Sequence, residues 1–492
     1  MEFRYLRSLL IAEGLGLNLG MGLGLGLGLG LGVASAAAAT ANAAGAAAAN
    51  TPGPAAEAVR TQAREIFAHI VGIESSIGKG KVPVVAKYLA ERFKAGGFSD
   101  ADIHILPLGE TASLVVRYRG GGGRPIAFMA HMDVVTAKRS DWQRDPYALT
   151  EENGFFYGRG TSDVKQEVAL LTATFLRLKG EGFMPKRDLI IVFSGDEETA
   201  QATARDLVTA HRDLVDAEYA LNGDGGGGVL SEGTAKPLIF YVQGAEKSSA
   251  QFLLTAHNPG GHSSEPRSDN AIYELADALK AIQGHGFPVM WNEWTLGDFK
   301  AASQVTAGPL GQAMARFAAE PGNAAAAAEI AKNPAFVGRI RTTCVATMLT
   351  GGHAENALPQ SATATINCRI FPGMSAADVQ NTLQGLVGPK VAVKQGYDAL
   401  VSNASPMRDD VMRAVATAVA ISDPGAPVVP TQASYATDGA VFRNAGIPTY
   451  GAGGVFIMDS EKFAHGLNER IRVKEFYNGL TYWDVLIKSL AG

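Results

Sequence analysis

Two adjacent carboxylates, Glu197 and Glu198, follow the apolar run 188–193 in the sequence Ser-Gly-Asp-Glu-Glu. The run is typical of a buried strand, and ligands in open α/β sheets collect beyond the carboxyl ends of the strands. Burying two neighbouring carboxylates costs free energy unless a cation or a catalytic task requires them. This pair therefore predicts a functional site at a strand end.

Three more acid or histidine clusters are predicted at similar strand ends, and a further candidate lies near the C-terminus. They come after residues 124–130, 158–162 and 219–222 and near the C-terminus, and they are His131, Asp133, Asp163, Asp224 and His465. Two histidines and three carboxylates suit a pair of zinc ions, each with two ligands of its own and one shared carboxylate. The set predicts a hydrolytic metal site.

The spacing within the set indicates separate roles. Asp133 lies two residues beyond His131, on the same side of an extended chain, where it could accept the ring N–H and fix the metal-binding tautomer. Glu197 and Glu198 alternate, so that one can bind metal while the other acts as a general base.

The motifs together resemble a known family: the dinuclear-zinc metallopeptidases that include aminoacylase, carnosinase-type dipeptidases and bacterial glutamate carboxypeptidase. His-x-Asp, Gly-Arg-Gly-x-x-Asp-x-Lys, Asp-Glu-Glu and His-Gly-x-Asn-Glu occur in the family's order between about residues 60 and 490. The resemblance implies that His131, Asp163 and Asp224 hold one zinc and that Asp163, Glu198 and His465 hold the other. Asp163 would bridge them, and Glu197 would be the base that activates the attacking water.

Each residue alone has a simpler interpretation. Asp163 precedes the predicted helix 164–179 and could only cap it. Asp224 precedes four glycines and could only mark a turn. It is the combination of five ligands with Glu197 that favours a metal site over these alternatives.

Composition agrees with a soluble two-domain enzyme. The chain has 492 residues, 47% hydrophobic content and a formal net charge of −5, so it carries no basic footprint for nucleic acid. The run Gly225–Gly228 lacks the Lys-Ser/Thr of a phosphate-binding loop and is predicted to be a flexible loop.

The first residues have a different composition. Residues 1–43 combine basic residues, Leu-Gly alternation and Ala-x-Ala-like sites, which predicts a signal peptide with a low-complexity segment, followed by a linker over 44–56. We therefore expect a periplasmic or secreted protein. An uncleaved anchor is the alternative, because the uncharged stretch 14–40 is long enough to span a bilayer.

Alternating strands and helices predict an α/β catalytic domain over 57–243 and 396–492, with a mostly parallel sheet between helices. The predicted strands are 113–118, 126–130 and 189–193, and the predicted helices are 57–71, 164–179, 199–211 and 409–421.

Residues 244–395 change pattern. Strands at 248–256, 341–349 and 362–371 with helices at 271–282 and 375–387 suggest an inserted α+β domain of βαββαβ order. The family resemblance makes this the lid domain, which would mediate a homodimer. Residues 286–338 are predicted to be a helical elaboration of the lid.

Three lid residues carry substrate chemistry. The resemblance makes His262, in Gly-Gly-His-Ser-Ser, a donor to the developing oxyanion, often for the partner subunit's site. It also places Asn356 and Arg369 near the substrate carboxylate, and an arginine fork suits bidentate binding of such a group. A turn histidine and a surface ion pair are the ordinary alternatives for His262 and Arg369.

The two cysteines, Cys344 and Cys368, lie on two predicted lid strands. If these strands form a hairpin centred on Asn356, the cysteines lie opposite each other and within disulfide range. A pair of buried free cysteines is the alternative.

The sequence thus predicts a zinc-dependent carboxypeptidase or dipeptidase, with two zinc ions per subunit, that acts on a short peptide with a free carboxylate. An N-acyl-amino-acid amidohydrolase uses the same machinery and remains open. A non-catalytic binding protein is the alternative of another class, and the lost ligand or replaced Glu197 that it would show is not found.

Overall fold

The structure is a computed structural model that describes residues 54–397 and 399–492. The predicted signal peptide, and all but the last three residues of the predicted linker, lie outside the described residues. Within the described ranges, none of the helices combines the length and the apolar character needed to cross a lipid bilayer.

The bounds of the longer helices are α1 Pro54–Val71, α2 Val82–Ala95, α3 Lys165–Gly180, α4 Ala202–Thr209, α5 Ala271–Gly284, α6 Glu293–Val305, α7 Gly308–Ala319, α8 Ala324–Ala331, α9 Ala376–Val387, α10 Asp409–Ser422 and α11 Val473–Ala491. The strands are β1 Ile103–Leu108, β2 Thr111–Tyr118, β3 Gly123–His131, β4 Thr150–Glu152, β5 Phe155–Tyr157, β6 Arg187–Ser194, β7 Tyr219–Asn222, β8 Gly227–Leu230, β9 Pro237–Glu246, β10 Ser248–His257, β11 Gly261–His262, β12 Thr343–Gly351, β13 Ala357–Leu358, β14 Ser361–Ile370, β15 Val391–Gln395, β16 Val428–Ala433, β17 Thr449–Gly451, β18 Phe456–Ile457 and β19 Arg470–Arg472.

A ten-stranded sheet forms the catalytic core. Its order is β1-β2-β6-β3-β7-β17-β9-β8-β18, with β16 also paired to β9. The pairs β6/β3, β3/β7 and β7/β17 at its centre are parallel, as predicted. Because these parallel strands share one direction, β3, β6 and β7 deliver the residues that follow them to the same edge of the sheet.

Helices α3 and α11 pack on this sheet with a large aromatic core. Helix α3 is buried along almost its whole length, and Trp483 of α11 lies edge-to-face with Phe128 of β3 at 6.0 Å between ring centroids. This packing fixes the strand ends that carry the site.

The lid is a separate four-stranded antiparallel sheet of order β12-β14-β10-β15. Helices α5 and α9 pack on it around their own hydrophobic cluster. The sequence of elements confirms the predicted βαββαβ order. Cys344 and Cys368 are direct partners in the β12/β14 register, 4.1 Å apart between Cα atoms, and form a disulfide. Of the two alternatives left open by the sequence, the structure shows the disulfide.

The segment 286–338 does not elaborate the lid. Its first helix, α6, packs against β16 and β9 of the catalytic sheet. The Trp294 indole is fully buried there, donates to the backbone carbonyl of Ser405 at 2.7 Å, and covers Gly244, where a Cβ atom would lie 1.9 Å from the ring. Trp294 thus helps to anchor this helix to the catalytic sheet rather than to the lid, contrary to the prediction.

The predicted flexible loop Gly225–Gly228 is also different in the structure. Gly226 has φ of +69°, and a Cβ atom there would lie 2.4 Å from the carbonyl oxygen of Gly451. Gly227 and Gly228 begin strand β8. The glycines permit close approach of backbones rather than flexibility.

Candidate metal centre and active site

Asp163 lies at the centre of the predicted ligand cluster. Its Oδ1 is 3.1 Å from His131 Nε2, and its Oδ2 is 3.1 Å from His465 Nε2. Two ligands bound at ~2.1 Å to one tetrahedral ion lie roughly 3.4 Å apart, which is close to these separations. One carboxylate oxygen therefore faces each histidine, as a bridging ligand requires.

The remaining predicted ligands complete the two halves of the cluster. Asp224 Oδ2 lies 4.0 Å from His131 Nε2, and Glu198 Oε2 lies 3.0 Å from His465 Nε2. The ligand atoms of His131, Asp163 and Glu198 all lie within 4.8 Å of one another, and those of His131, Glu197 and Asp224 do so too. All five predicted ligands and the predicted base thus converge, and this nitrogen and carboxylate donor set fits two divalent metal ions.

Asp133 contributes in a way that differs in part from the expectation. His131 Nδ1 lies 3.0 Å from the backbone carbonyl oxygen of Asp133 and 3.4 Å from its Oδ1, so the backbone is the nearer acceptor for the ring N–H. The Asp133 carboxylate accepts the backbone N–H groups of Glu197 and Glu198 at 3.2 and 3.1 Å. Asp133 therefore positions the two glutamates as well as the histidine.

The concentration of buried acids shifts the site's pKa values. Burial, together with the nearby Asp224 carboxylate, raises the pKa of Glu197 well above its ordinary value. Burial likewise raises the pKa of Asp224. Burial alone would lower the pKa of His131, but its hydrogen bonds to Asp133 and Asp163 raise it further than burial lowers it. Cations would relieve this repulsion, and a base with a raised pKa is suited to proton transfer near neutral pH.

The loop that carries Asp163 is not the strand expected from residues 158–162. The strand ends at Tyr157, and Gly158 to Val164 form turns in which Gly160 has φ of +88°. The fully buried Glu469 carboxylate accepts the backbone N–H groups of Ser162 and Asp163 at 2.6 and 3.0 Å. Hydrogen bonds to a side chain replace the strand ladder here.

A buried ion pair joins this loop to the loop of His465. Arg159 Nη1 lies 2.5 Å from Glu469 Oε2, and Arg159 Nη2 donates to the carbonyl of Gly466 at 3.1 Å. His465 itself has φ of 62°, a conformation that costs a non-glycine residue free energy and is held by its surroundings. The pair was not predicted from the sequence, although Arg159 and Glu469 lie inside the motifs Gly-Arg-Gly and His-Gly-x-Asn-Glu.

Arg369 lies where a substrate carboxylate could reach it. It lines a cavity of about 670 Å³ together with Glu197, Glu198, Arg205 and Tyr435. Tyr435, which sequence reasoning missed, also lines the cavity of about 440 Å³ around the metal ligands. An isolated tyrosine in a loop carries no pattern by which it could have been found.

His262 and Asn356 are brought together with each other but not with the metal cluster. The short strands β11 and β13 pair, and the backbone N–H of Ser263 donates to the carbonyl of Asn356 at 3.0 Å. The His262 side chain is exposed, with Nδ1 2.6 Å from Ser264 Oγ. Neither residue lines the cavity around the metal ligands.

The fold and this site define a hydrolase with a dinuclear metal centre. The model of peptidase family M20/M25/M40 matches residues 127–489, and the chain therefore belongs to that family.

Three individual proteins resemble this chain at low sequence identity. The mouse N-fatty-acyl-amino acid synthase/hydrolase PM20D1 is 25% identical over 390 residues, covering 73% of each chain. Among solved structures, an M20 family metallo-carboxypeptidase from Sulfolobus solfataricus has a TM-score of 0.66 at 16% identity and covers 87% of this chain and 99% of its own. Human carnosine dipeptidase 1 has a TM-score of 0.58 at 15% identity, and the match covers 89% of this chain and 98% of the dipeptidase. At these identities, the structures show the shared fold.

Proposed function

We propose that this protein is a zinc-dependent carboxypeptidase or dipeptidase that hydrolyses the amide bond of a short substrate with a free carboxylate. The observation that carries the proposal is the position of Glu197. It lines the cavity of the metal ligands and also the cavity of Arg369. A scissile amide can therefore lie beside the base while its carboxylate meets the guanidinium.

The residues divide the reaction between them. Two zinc ions, held by His131, Asp163, Asp224, Glu198 and His465, would polarise the scissile carbonyl and lower the pKa of water. Glu197 takes a proton from the attacking water and passes it to the leaving amine. Arg369 holds the substrate carboxylate through its planar fork.

An N-acyl-amino-acid amidohydrolase is the second candidate, because its substrates also join an amide to a carboxylate. The relative PM20D1 is named an N-fatty-acyl-amino acid synthase/hydrolase, and this similarity favours the second candidate. A non-catalytic binding protein is disfavoured by the convergence of all five candidate ligands with Glu197.

A matched substrate panel tests the proposal. The zinc-loaded protein is assayed against dipeptides and against N-acyl amino acids that share the same C-terminal residue, with a metal-chelated sample as the control. Hydrolysis of either group that disappears on chelation supports the proposal, and the preferred group decides between the two candidates. No hydrolysis of either group by protein shown to carry metal would refute it.

We also propose that the protein is a homodimer formed through the lid. Strand β12 is an edge strand, and its residues Val345, Met348 and Leu349 are 58%, 65% and 65% exposed. An exposed apolar edge is a template for pairing with another chain. A dimer would also allow His262 to serve the partner's site, which agrees with its absence from the lining of the metal cavity in its own chain.

Export is a further proposal. It is supported by the composition of residues 1–43. It is also supported by the Cys344–Cys368 disulfide, since such bonds persist in oxidising compartments.

A further inference from the structure

A second, larger groove opens from the metal cavity along strands β9 and β16. Its volume is about 790 Å³, within the ~300–1,000 Å³ range of small-molecule sites. The residues that it shares with the metal cavity are Gly226, Gly227, Tyr435, Val455, Ile457 and Lys462. A substrate held at the metal ligands can therefore extend into this groove without leaving the protein surface.

Ten of the 23 residues that line the groove have aliphatic side chains. Ile239 and Val429 come from the sheet, and Ala301 and Val305 come from helix α6. Leu238 and Val305 are 51% and 82% exposed. Apolar side chains gathered in an open groove beside an active site mark a surface that gains free energy when an apolar ligand covers it.

The charges in the groove are already paired. Among the residues that the structure describes, the charged ones lining the groove are Arg339, Asp459 and Lys462. Arg339 lies 2.7 Å from Asp298, and Lys462 lies 2.5 Å from Asp459. A peptide would bring an α-ammonium group towards this groove, whereas an acyl chain needs no counter-charge there.

The groove and the Arg369 cavity are separate and have only Tyr435 in common. Both join the metal cavity. A substrate whose carboxylate is held by Arg369 therefore has its amide at the metal ligands and its acyl side free to enter the groove.

We infer that this groove binds the acyl chain of the substrate, and that the preferred substrate is an N-acyl amino acid with a long, unbranched, apolar acyl group. The inference rests on the proposed amide hydrolysis. It assigns the groove to the acyl side and selects the second candidate function.

The test is a chain-length series on one amino acid, from N-acetyl to N-dodecanoyl. Each added methylene that is buried should raise kcat/KM by roughly twofold to fourfold, because burial of a methylene is worth up to about 0.8 kcal/mol. Two groove variants, Ala301→Phe and Leu238→Asp, should lower the ratio of kcat/KM for the dodecanoyl over the acetyl substrate by at least about tenfold. Met184→Asp is the matched control, since Met184 is 80% exposed and lies outside the groove, and its ratio should equal that of the wild type.

A binding measurement separates the groove from the chemistry. Titration calorimetry of N-dodecanoyl and N-acetyl amino acid into the Glu197→Gln protein should show tighter binding of the dodecanoyl compound, and Ala301→Phe in the same background should remove the difference. Two outcomes would overturn the inference while the proposed function stands. In the first, short substrates are hydrolysed but kcat/KM does not rise with acyl length. In the second, kcat/KM rises with acyl length equally in the wild type and in both groove variants. Chain-length-dependent binding in the groove without hydrolysis of any substrate would support the groove and refute the proposed function.

Discussion

The buried pair of Arg159 and Glu469 allows a sharp prediction, because neither residue is a metal ligand. Glu469 has 0% exposure, and its two oxygens accept from Arg159 and from the backbone N–H groups of Gly160, Ser162 and Asp163. In Glu469→Gln, one carboxylate oxygen becomes an NH₂ group. Whichever way the amide turns, this NH₂ faces at least one N–H donor, and the Arg159 charge loses its partner.

The expected cost follows from that geometry. Removing one partner of a buried ion pair costs about 3–5 kcal/mol of unfolding free energy. Because the same carboxylate holds the backbone of Asp163, metal affinity should fall by about 10-fold to 100-fold, as it does when the supports of metal ligands are removed. Urea unfolding at pH 8 measures the first effect, and competition with a chromophoric chelator measures the second.

Glu181→Gln is the matched control. Glu181 is 44% exposed and pairs with Arg177 and Lys488 on the surface, so its replacement should cost no more than about 1 kcal/mol and leave metal affinity unchanged. If Glu469→Gln loses no more stability than this control and binds metal as tightly as the wild type, the pair does not hold the two ligand loops together.

Three further predictions concern other parts of the molecule. Thiol titration of the unfolded, unreduced protein should find no free thiol, and replacing Cys344 and Cys368 by Ser should lower the unfolding free energy by about 2–4 kcal/mol; two reactive thiols per chain would rule out the disulfide. Burial raises the pKa of Glu167 from 4.5 to about 7, so the stability that its neutral form contributes is present below pH 4.5 and is lost as pH rises through 7. The unfolding free energy of the wild type relative to that of Glu167→Gln should therefore fall by about 3 kcal/mol between pH 4 and 8. Parallel pH profiles of the two proteins would exclude this effect. Met348→Lys should weaken the dimer by roughly tenfold or more in sedimentation experiments, and mixing Glu197→Gln with His262→Ala subunits should restore activity; a wild-type monomer, or no recovery despite proven subunit exchange, would contradict the shared site.

The convergence of the candidate metal ligands could be predicted from sequence because each belongs to a short motif in which residue type and chemistry coincide. His131 and Glu198 follow strands whose apolar runs are visible in the sequence. Asp163 lies between His131 and His465, as the proposed bridging role requires, but it does not lie at a strand end. Its loop is shaped by Glu469, some 300 residues later in the chain, and local pattern cannot show such a contact.

Long-range packing also explains the other errors. The segment 286–338 follows a lid strand and helix in sequence, but Trp294 fits against Gly244 and Tyr450 of the catalytic domain. Gly226 is typical of a loop by composition, yet the close backbone of Gly451 requires a glycine at this position. In each case, a tertiary contact overrides the local preference.

The most direct test of the account is the Glu197→Gln protein, analysed for metal content and turnover in the same sample. We expect two zinc ions per chain, as in the wild type, and a turnover lower by at least ~10²-fold to 10⁴-fold, because the substitution removes the base and retains the five ligands. Near-normal turnover with both ions bound would contradict the assignment of Glu197 as the general base.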